Sequence, residues 1–98
     1  MSRLFEKTVI KGMTLANRFV RSATWEGMAS EEGACTPQLV ELMCGLAAGG
    51  VGLIITGHTY VRPEGQSATR QLGISNDAFL PGLRHMTDAM HRLDGRIV

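Results

Sequence analysis

Cysteine is scarce in this 98-residue chain, with only Cys35 and Cys44 present. Neither belongs to a Cys-x-x-Cys pair or a Cys/His cluster, so the spacing offers no thiolate metal site or redox motif and implies a reduced, cytoplasmic setting. Charge of one sign is also missing: ten Lys and Arg face nine Asp and Glu, a formal net charge of +1. That balance gives no electrostatic footprint for nucleic acid or for a membrane surface. Long apolar runs are absent too. The longest, Val51 to Thr56, falls far short of the ~20 residues that span a bilayer. The start, Met1-Ser2-Arg3-Leu4-Phe5-Glu6-Lys7, becomes charged before a secretion signal could develop. Expected partners are therefore a small-molecule substrate or another protein surface, with no nucleic acid and no membrane.

What the chain does contain is patterned for folding. Hydrophobic residues make up 44% and charged residues 19%, far from the profile of disordered chains. Thr8-Val9-Ile10 and Thr14-Leu15 are β-prone runs around Lys11-Gly12-Met13, which predicts a hairpin. A first core strand is expected over Phe19 to Ala23, with an exit loop carrying Gly27, Ser30 and Gly33. Thr36-Pro37 then supplies a helix start, because the Thr side chain accepts from orphan amides and Pro lacks only an N–H that would be idle there. Leu39, Leu42, Met43 and Leu46 recur at helical spacing, and Gly49-Gly50 ends the helix.

Val51-Gly52-Leu53-Ile54-Ile55-Thr56 follows at once, apolar on consecutive residues, as in a parallel strand covered on both faces. A loop from Gly57 to about Asn76 comes next, longer than most strand-to-helix connections. A second helix is expected from Leu80-Pro81 to about Leu93, with Leu83, Met86, Met90 and Leu93 on one face. After Asp94-Gly95, Arg96-Ile97-Val98 begins a third strand and stops without a turn, so we expect truncation in that strand.

The order is a β-hairpin followed by β-α-β-α-β, which two α/β architectures share: the closed (β/α)8 barrel and the open doubly wound sheet. An open nucleotide-binding sheet would carry Gly-x-Gly-x-x-Gly after its first strand. Here that turn reads Ala23-Thr24-Trp25-Glu26-Gly27-Met28. A complete (β/α)8 TIM barrel takes about 250 residues. Residues 1–98 are accordingly expected to form the amino-terminal portion of one barrel domain.

Four stretches resemble the Old Yellow Enzyme family of NADH:flavin oxidoreductases. They are Leu4-Phe5 with Lys11-Gly12-Met13-Thr14-Leu15-Ala16-Asn17-Arg18-Phe19-Val20; Thr36-Pro37; Gly50-Val51-Gly52-Leu53-Ile54-Ile55-Thr56-Gly57; and Leu72-Gly73-Ile74 leading to His91-Arg92-Leu93-Asp94-Gly95-Arg96-Ile97-Val98. The resemblance implies a flavin-binding (β/α)8 barrel that uses FMN, with NAD(P)H as reductant, to transfer hydride to an activated alkene such as an enone. Carried over position by position, it implies cofactor contacts at Ser22, Ala23, Thr24 and Trp25 after the first strand and at His58 after the second. No catalytic residue of the family and no metal ligand falls on this chain. Its substrate-activating His pair or His/Asn, its Tyr proton donor and its phosphate loops would all lie downstream. Two positions depart from the family: Ala23 stands where Pro is common, and Trp25 where a Thr or Cys tunes the flavin by hydrogen bonding.

Each candidate also has an ordinary structural reading. Trp25 can serve as an apolar plug under a loop, and His58 as a solvated strand-end residue. His85 and His91 stand on different faces of one helix, which excludes an i, i+4 metal pair. Arg62, Glu64 and Arg70 read as a solvated loop, or else as a rim that shapes substrate entry or a subunit contact. Two other functions fit the same pattern: a (β/α)8 enzyme without flavin, and a non-catalytic assembly piece pairing with a complementary chain. A piece of barrel would need the remaining barrel as partner, or would associate with itself through its open edges.

Overall fold

A computed structural model of the protein describes residues 3–98. Strands β1 (Thr8–Ile10) and β2 (Met13–Leu15) form the expected antiparallel hairpin, paired Thr8 with Leu15, Val9 with Thr14 and Ile10 with Met13. Lys11 and Gly12 both have positive φ, 50° and 85°. That is the primed turn whose twist matches a two-residue hairpin.

β3 (Val20–Arg21) runs parallel to β4 (Leu53–Ile54), with Val20 opposite Leu53 and Arg21 opposite Ile54. These strands are shorter than the apolar runs that predict them, yet the ladder extends past their ends. Leu53 N–H donates to Phe19 O at 3.1 Å and Ile55 N–H to Arg21 O at 2.9 Å. On the other edge of β4, Ile54 and Thr56 donate to Arg96 O and Val98 O at 2.8 and 2.9 Å, and Val98 donates back to Ile54 O. Residues 96–98 therefore pair as the anticipated third parallel strand, with β4 in the centre.

Helix α1 (Pro37–Ala48) begins where the sequence says it should: the Thr36 hydroxyl accepts from Leu39 N–H at 3.2 Å and itself donates to Met28 O. It ends in a Schellman closure. Gly50 N–H reaches Ala47 O at 3.0 Å and Val51 N–H reaches Leu46 O at 3.2 Å, with Gly50 at φ 94°. Helix α2 (Leu80–Arg92) follows a 3-10 turn at Asp77–Phe79, which Asn76 caps through Ala78 N–H. Its closure repeats the same pattern with a different residue, for Asp94 takes the left-handed position at φ 58° and Gly95 N–H bonds Met90 O at 2.9 Å.

The two helices cover one face of the sheet. Leu39 and Met43 from α1 and Met86 and Met90 from α2 are buried in one cluster with Ile54, Ala29 and Leu72. Of the residues expected on these faces, Leu46 and Leu83 pack against that cluster, whereas Leu93 lies beyond the helix and is exposed. Cross-strand partners share a face, so Val20 and Leu53 point away from the helices. There Val20 remains 49% exposed. The chain measures 46 × 24 × 23 Å with a radius of gyration of 14.2 Å, against about 12.6 Å for a compact domain of this length. Among the described residues, no helix is long and apolar enough to cross a membrane.

Candidate functional site

The carboxyl-terminal ends of β3 and β4 carry all five residues singled out by resemblance. Ser22, Ala23, Thr24 and Trp25 follow β3 directly, and His58 lies shortly after β4; all five are exposed. The Thr24 hydroxyl turns back to Ser22 O at 3.1 Å, which keeps this row tight. Trp25 is 49% exposed and folds its ring over Gly27, where an added Cβ would lie 3.1 Å from the indole. Among the described residues neither Ala23 nor Trp25 donates a hydrogen bond.

Beneath this exposed row lies a polar tie that the sequence reading passed over. Arg21 Nη1 and Glu26 Oε2 are 3.0 Å apart, with side chains only 16% and 7% exposed. The guanidinium also donates to Ile55 O at 2.8 Å and to Thr24 O at 3.0 Å. Glu26 Oε2 accepts Gly57 N–H at 3.0 Å. One ion pair thus binds the loop after β3 to the backbone on both sides of Thr56. Removing one member of a buried pair leaves a desolvated charge and costs about 3–5 kcal/mol. The available signal was an Arg in an otherwise apolar strand and a Glu in an otherwise uncharged turn, each beside a strand end.

The loop after β4 is likewise more than a solvated excursion. Tyr60 pairs in parallel with Gly73, donates from its backbone to Leu72 O at 3.1 Å, and receives Ile74 N–H at 2.9 Å. Its hydroxyl reaches Glu32 O at 2.9 Å, while Gly73 N–H reaches Gly33 O at 2.8 Å. The two strand-end loops are therefore joined a second time. Gln71, 3% exposed, uses its Oε1 to accept from Ser67 N–H at 2.7 Å, Ala68 N–H at 3.2 Å and the Ser67 hydroxyl at 3.1 Å. With the Ser67 proton given to Gln71, its oxygen is left to accept from His58 Nε2 at 3.3 Å. That arrangement makes His58 Nε2 the donor of the contact. Arg62 and Glu64 form an exposed ion pair at 2.9 Å, outside these networks.

A profile of the NADH:flavin oxidoreductase / NADH oxidase family matches residues 3–98. An NADPH dehydrogenase of Listeria welshimeri is 35% identical over 92 residues, covering 93% of this chain and 27% of the relative. An NADH oxidase of Thermoanaerobacter brockii is 30% identical over 95 residues, which is 96% of this chain and 15% of that protein. The crystal structure of Old Yellow Enzyme from Pichia sp. AKU4542 superposes with a TM-score of 0.91 at 20% identity, over 97% of this chain and 25% of that one. The fold is thus that of a segment of an Old Yellow Enzyme barrel, and the chain spans about a quarter of the length of the Listeria relative. With residues 3–98 matched throughout, the chain belongs to the NADH:flavin oxidoreductase / NADH oxidase family, the Old Yellow Enzyme family of its sequence resemblance.

Proposed function

We propose that residues 1–98 are the amino-terminal part of a single flavin-binding (β/α)8 domain, and that the complete protein is an FMN-dependent oxidoreductase. When bound, FMN supplies the chemistry of accepting hydride from NAD(P)H and delivering it to an activated alkene such as an enone. Ser22, Ala23, Thr24, Trp25 and His58 hold and orient it in this reading. The small side chains at Ser22 and Ala23 let a flat ring approach the backbone closely, and the Ala23 and Trp25 N–H groups supply donors in this reading. The Trp25 indole provides an apolar wall with one donor, where the family's small hydrogen-bonding residue would stand. His58 contributes its backbone first and its imidazole second. The observation carrying the proposal is the exposed row of small residues at the strand ends above a buried polar tie. In barrel enzymes that face carries the chemistry.

The visible spectrum of the purified complete protein tests the reading directly: flavin absorption bands are expected, and their absence overturns it. Trp25→Thr then tests the placement of the indole. A compact donor near the ring carbonyl gains a hydrogen bond that strengthens as charge builds on the reduced ring, about 1.5–3 kcal/mol at most. For a two-electron couple, about 30 mV corresponds to 1.4 kcal/mol, so the flavin potential should move by tens of millivolts. An unchanged potential and spectrum would make Trp25 a packing residue.

A further inference from the structure

Arg21 and Glu26 are not needed to close the helix-facing core, whose buried cluster consists of apolar side chains. Their position is costly, because each charge is largely removed from water. Yet the hydrogen bonds their side chains make beyond each other reach the exits of the two strands and the loops that follow. Arg21 grips Ile55 O and Thr24 O, and Glu26 grips the Gly57 N–H. Thr24 belongs to the exposed row after β3, and Gly57 immediately precedes His58. Space at Gly57 is reserved for this contact, since a Cβ there would lie 2.5 Å from Glu26 Oε1 and 2.8 Å from Thr24 O.

We propose that the Arg21–Glu26 pair is the positioning element of the candidate flavin site. It fixes the Ser22–Trp25 row relative to His58 without itself touching the ring. The inference rests on the functional reading above for the flavin, but the latch between the loops stands on its own contacts. A displacement of about 1 Å in a binding group can cost large factors in affinity or rate, so the tie should be visible in how the flavin is held.

The test uses the complete protein and a double variant, Arg21→Leu with Glu26→Leu, which removes both charges and so avoids leaving one orphaned. Asn76→Ala, which removes the cap of the 3-10 turn before α2, serves as a control for general destabilisation. Amide exchange at Gly57 and His58 should rise about tenfold or more in the double variant relative to that control, and the FMN dissociation constant should weaken by a similar factor with a shifted flavin band. Arg21→Leu with Glu26→Gln retains an acceptor for the Gly57 N–H without leaving a charge orphaned, and should recover part of both effects relative to the double leucine variant.

Unchanged exchange at Gly57 overturns the latch. Faster exchange with unaltered FMN affinity and spectrum overturns its role in positioning. A glutamine variant no better than the double leucine variant removes the Gly57 contact as the link. If the wild-type protein carries no flavin at all, the functional reading fails, and the exchange measurement still decides whether the loops are latched.

Discussion

Gly73→Ala should be among the most damaging single-methyl additions in this chain, and the structure says by roughly how much. Gly73 lies outside the left-handed region, so alanine is free to adopt its backbone conformation; the obstacle is Tyr60. An added Cβ would sit within 2.7 Å of Tyr60 Cε2 and Oη. The ring has little room to retreat, being buried and tethered by its hydroxyl to Glu32 O. Either the ring swings out and loses that hydrogen bond, or the backbone withdraws and loses the 2.8 Å bond from Gly73 N–H to Gly33 O. Overpacking costs about 1–3 kcal/mol and a lost hydrogen bond about 0.5–1.5 kcal/mol, which together give about 1.5–4.5 kcal/mol. Urea unfolding of the complete protein, followed by circular dichroism, measures the loss. The decisive comparison repeats the substitution in a Tyr60→Ala background. With the ring gone, Gly73→Ala should be neutral or slightly stabilising, because alanine restricts the unfolded chain by about 0.4–1 kcal/mol. An equal cost in both backgrounds would refute the steric argument.

Three further expectations follow from other parts of the chain. Asp94 holds the left-handed position that ends α2, so Asp94→Gly should raise stability by up to about 1 kcal/mol, read as a higher denaturation midpoint. Burial pushes the Cys35 thiol above its ordinary range. The folded state therefore holds this proton more tightly than the unfolded chain, and stability is fully present below the unfolded value and declines as pH rises through the window up to the folded one. Thermal scans from neutral to strongly alkaline pH should show a decline that Cys35→Ala reduces. Finally, residues 1–98 produced alone should self-associate, because β3 and the 96–98 strand present open edges and the sheet exposes Phe19, Val20 and Val98. A concentration-independent monomer in sedimentation would contradict this.

The helices were legible almost to the residue, because their ends are written in local chemistry. Thr36 with Pro37 starts α1 and Gly49-Gly50 closes it, as side-chain and glycine preferences dictate. At the end of α2 the order of Asp94 and Gly95 misleads. Gly95 would be the natural left-handed residue, but a Cβ there would meet Met90 O at 3.0 Å and Ala47 Cβ at 3.1 Å. Gly95 is reserved for close helix packing, and Asp94 takes the strained torsion. Strand length was overread, since apolar runs mark burial whereas ladders require a paired neighbour. For the site, Ser22 to Trp25 and His58 came from resemblance, and no periodicity would have found them. The Arg21–Glu26 tie and the buried Gln71 were missed because both depend on loops that meet in space. The stretch after Gly57 looked solvated by composition, yet Tyr60, Gln71 and Leu72 are buried in it.

The two ends of β4 explain why so short a strand can fix the register of the candidate site. At its start, Gly52 leaves room for Asn17: an added Cβ would lie 2.5 Å from the Asn17 Oδ1 and 2.6 Å from its carbonyl oxygen. Asn17 in turn donates to Gly50 O and accepts Phe19 N–H at 3.0 Å, joining the turn after α1 to the entrance of β3. At the far end, Gly57 leaves room for Glu26, which lies just beyond the exit of β3. Each flank of β3 thus sends one polar side chain across to a glycine at the matching end of β4. A slip of one residue would turn Ile54 out of the helix-facing core, and it would also drive a side chain into Asn17 or Glu26. Core burial alone selects the face of the strand, while the two glycine contacts select its position along the axis. Because the second contact is the Arg21–Glu26 tie, the interactions that set the sheet register also set the spacing of the loops carrying Trp25 and His58.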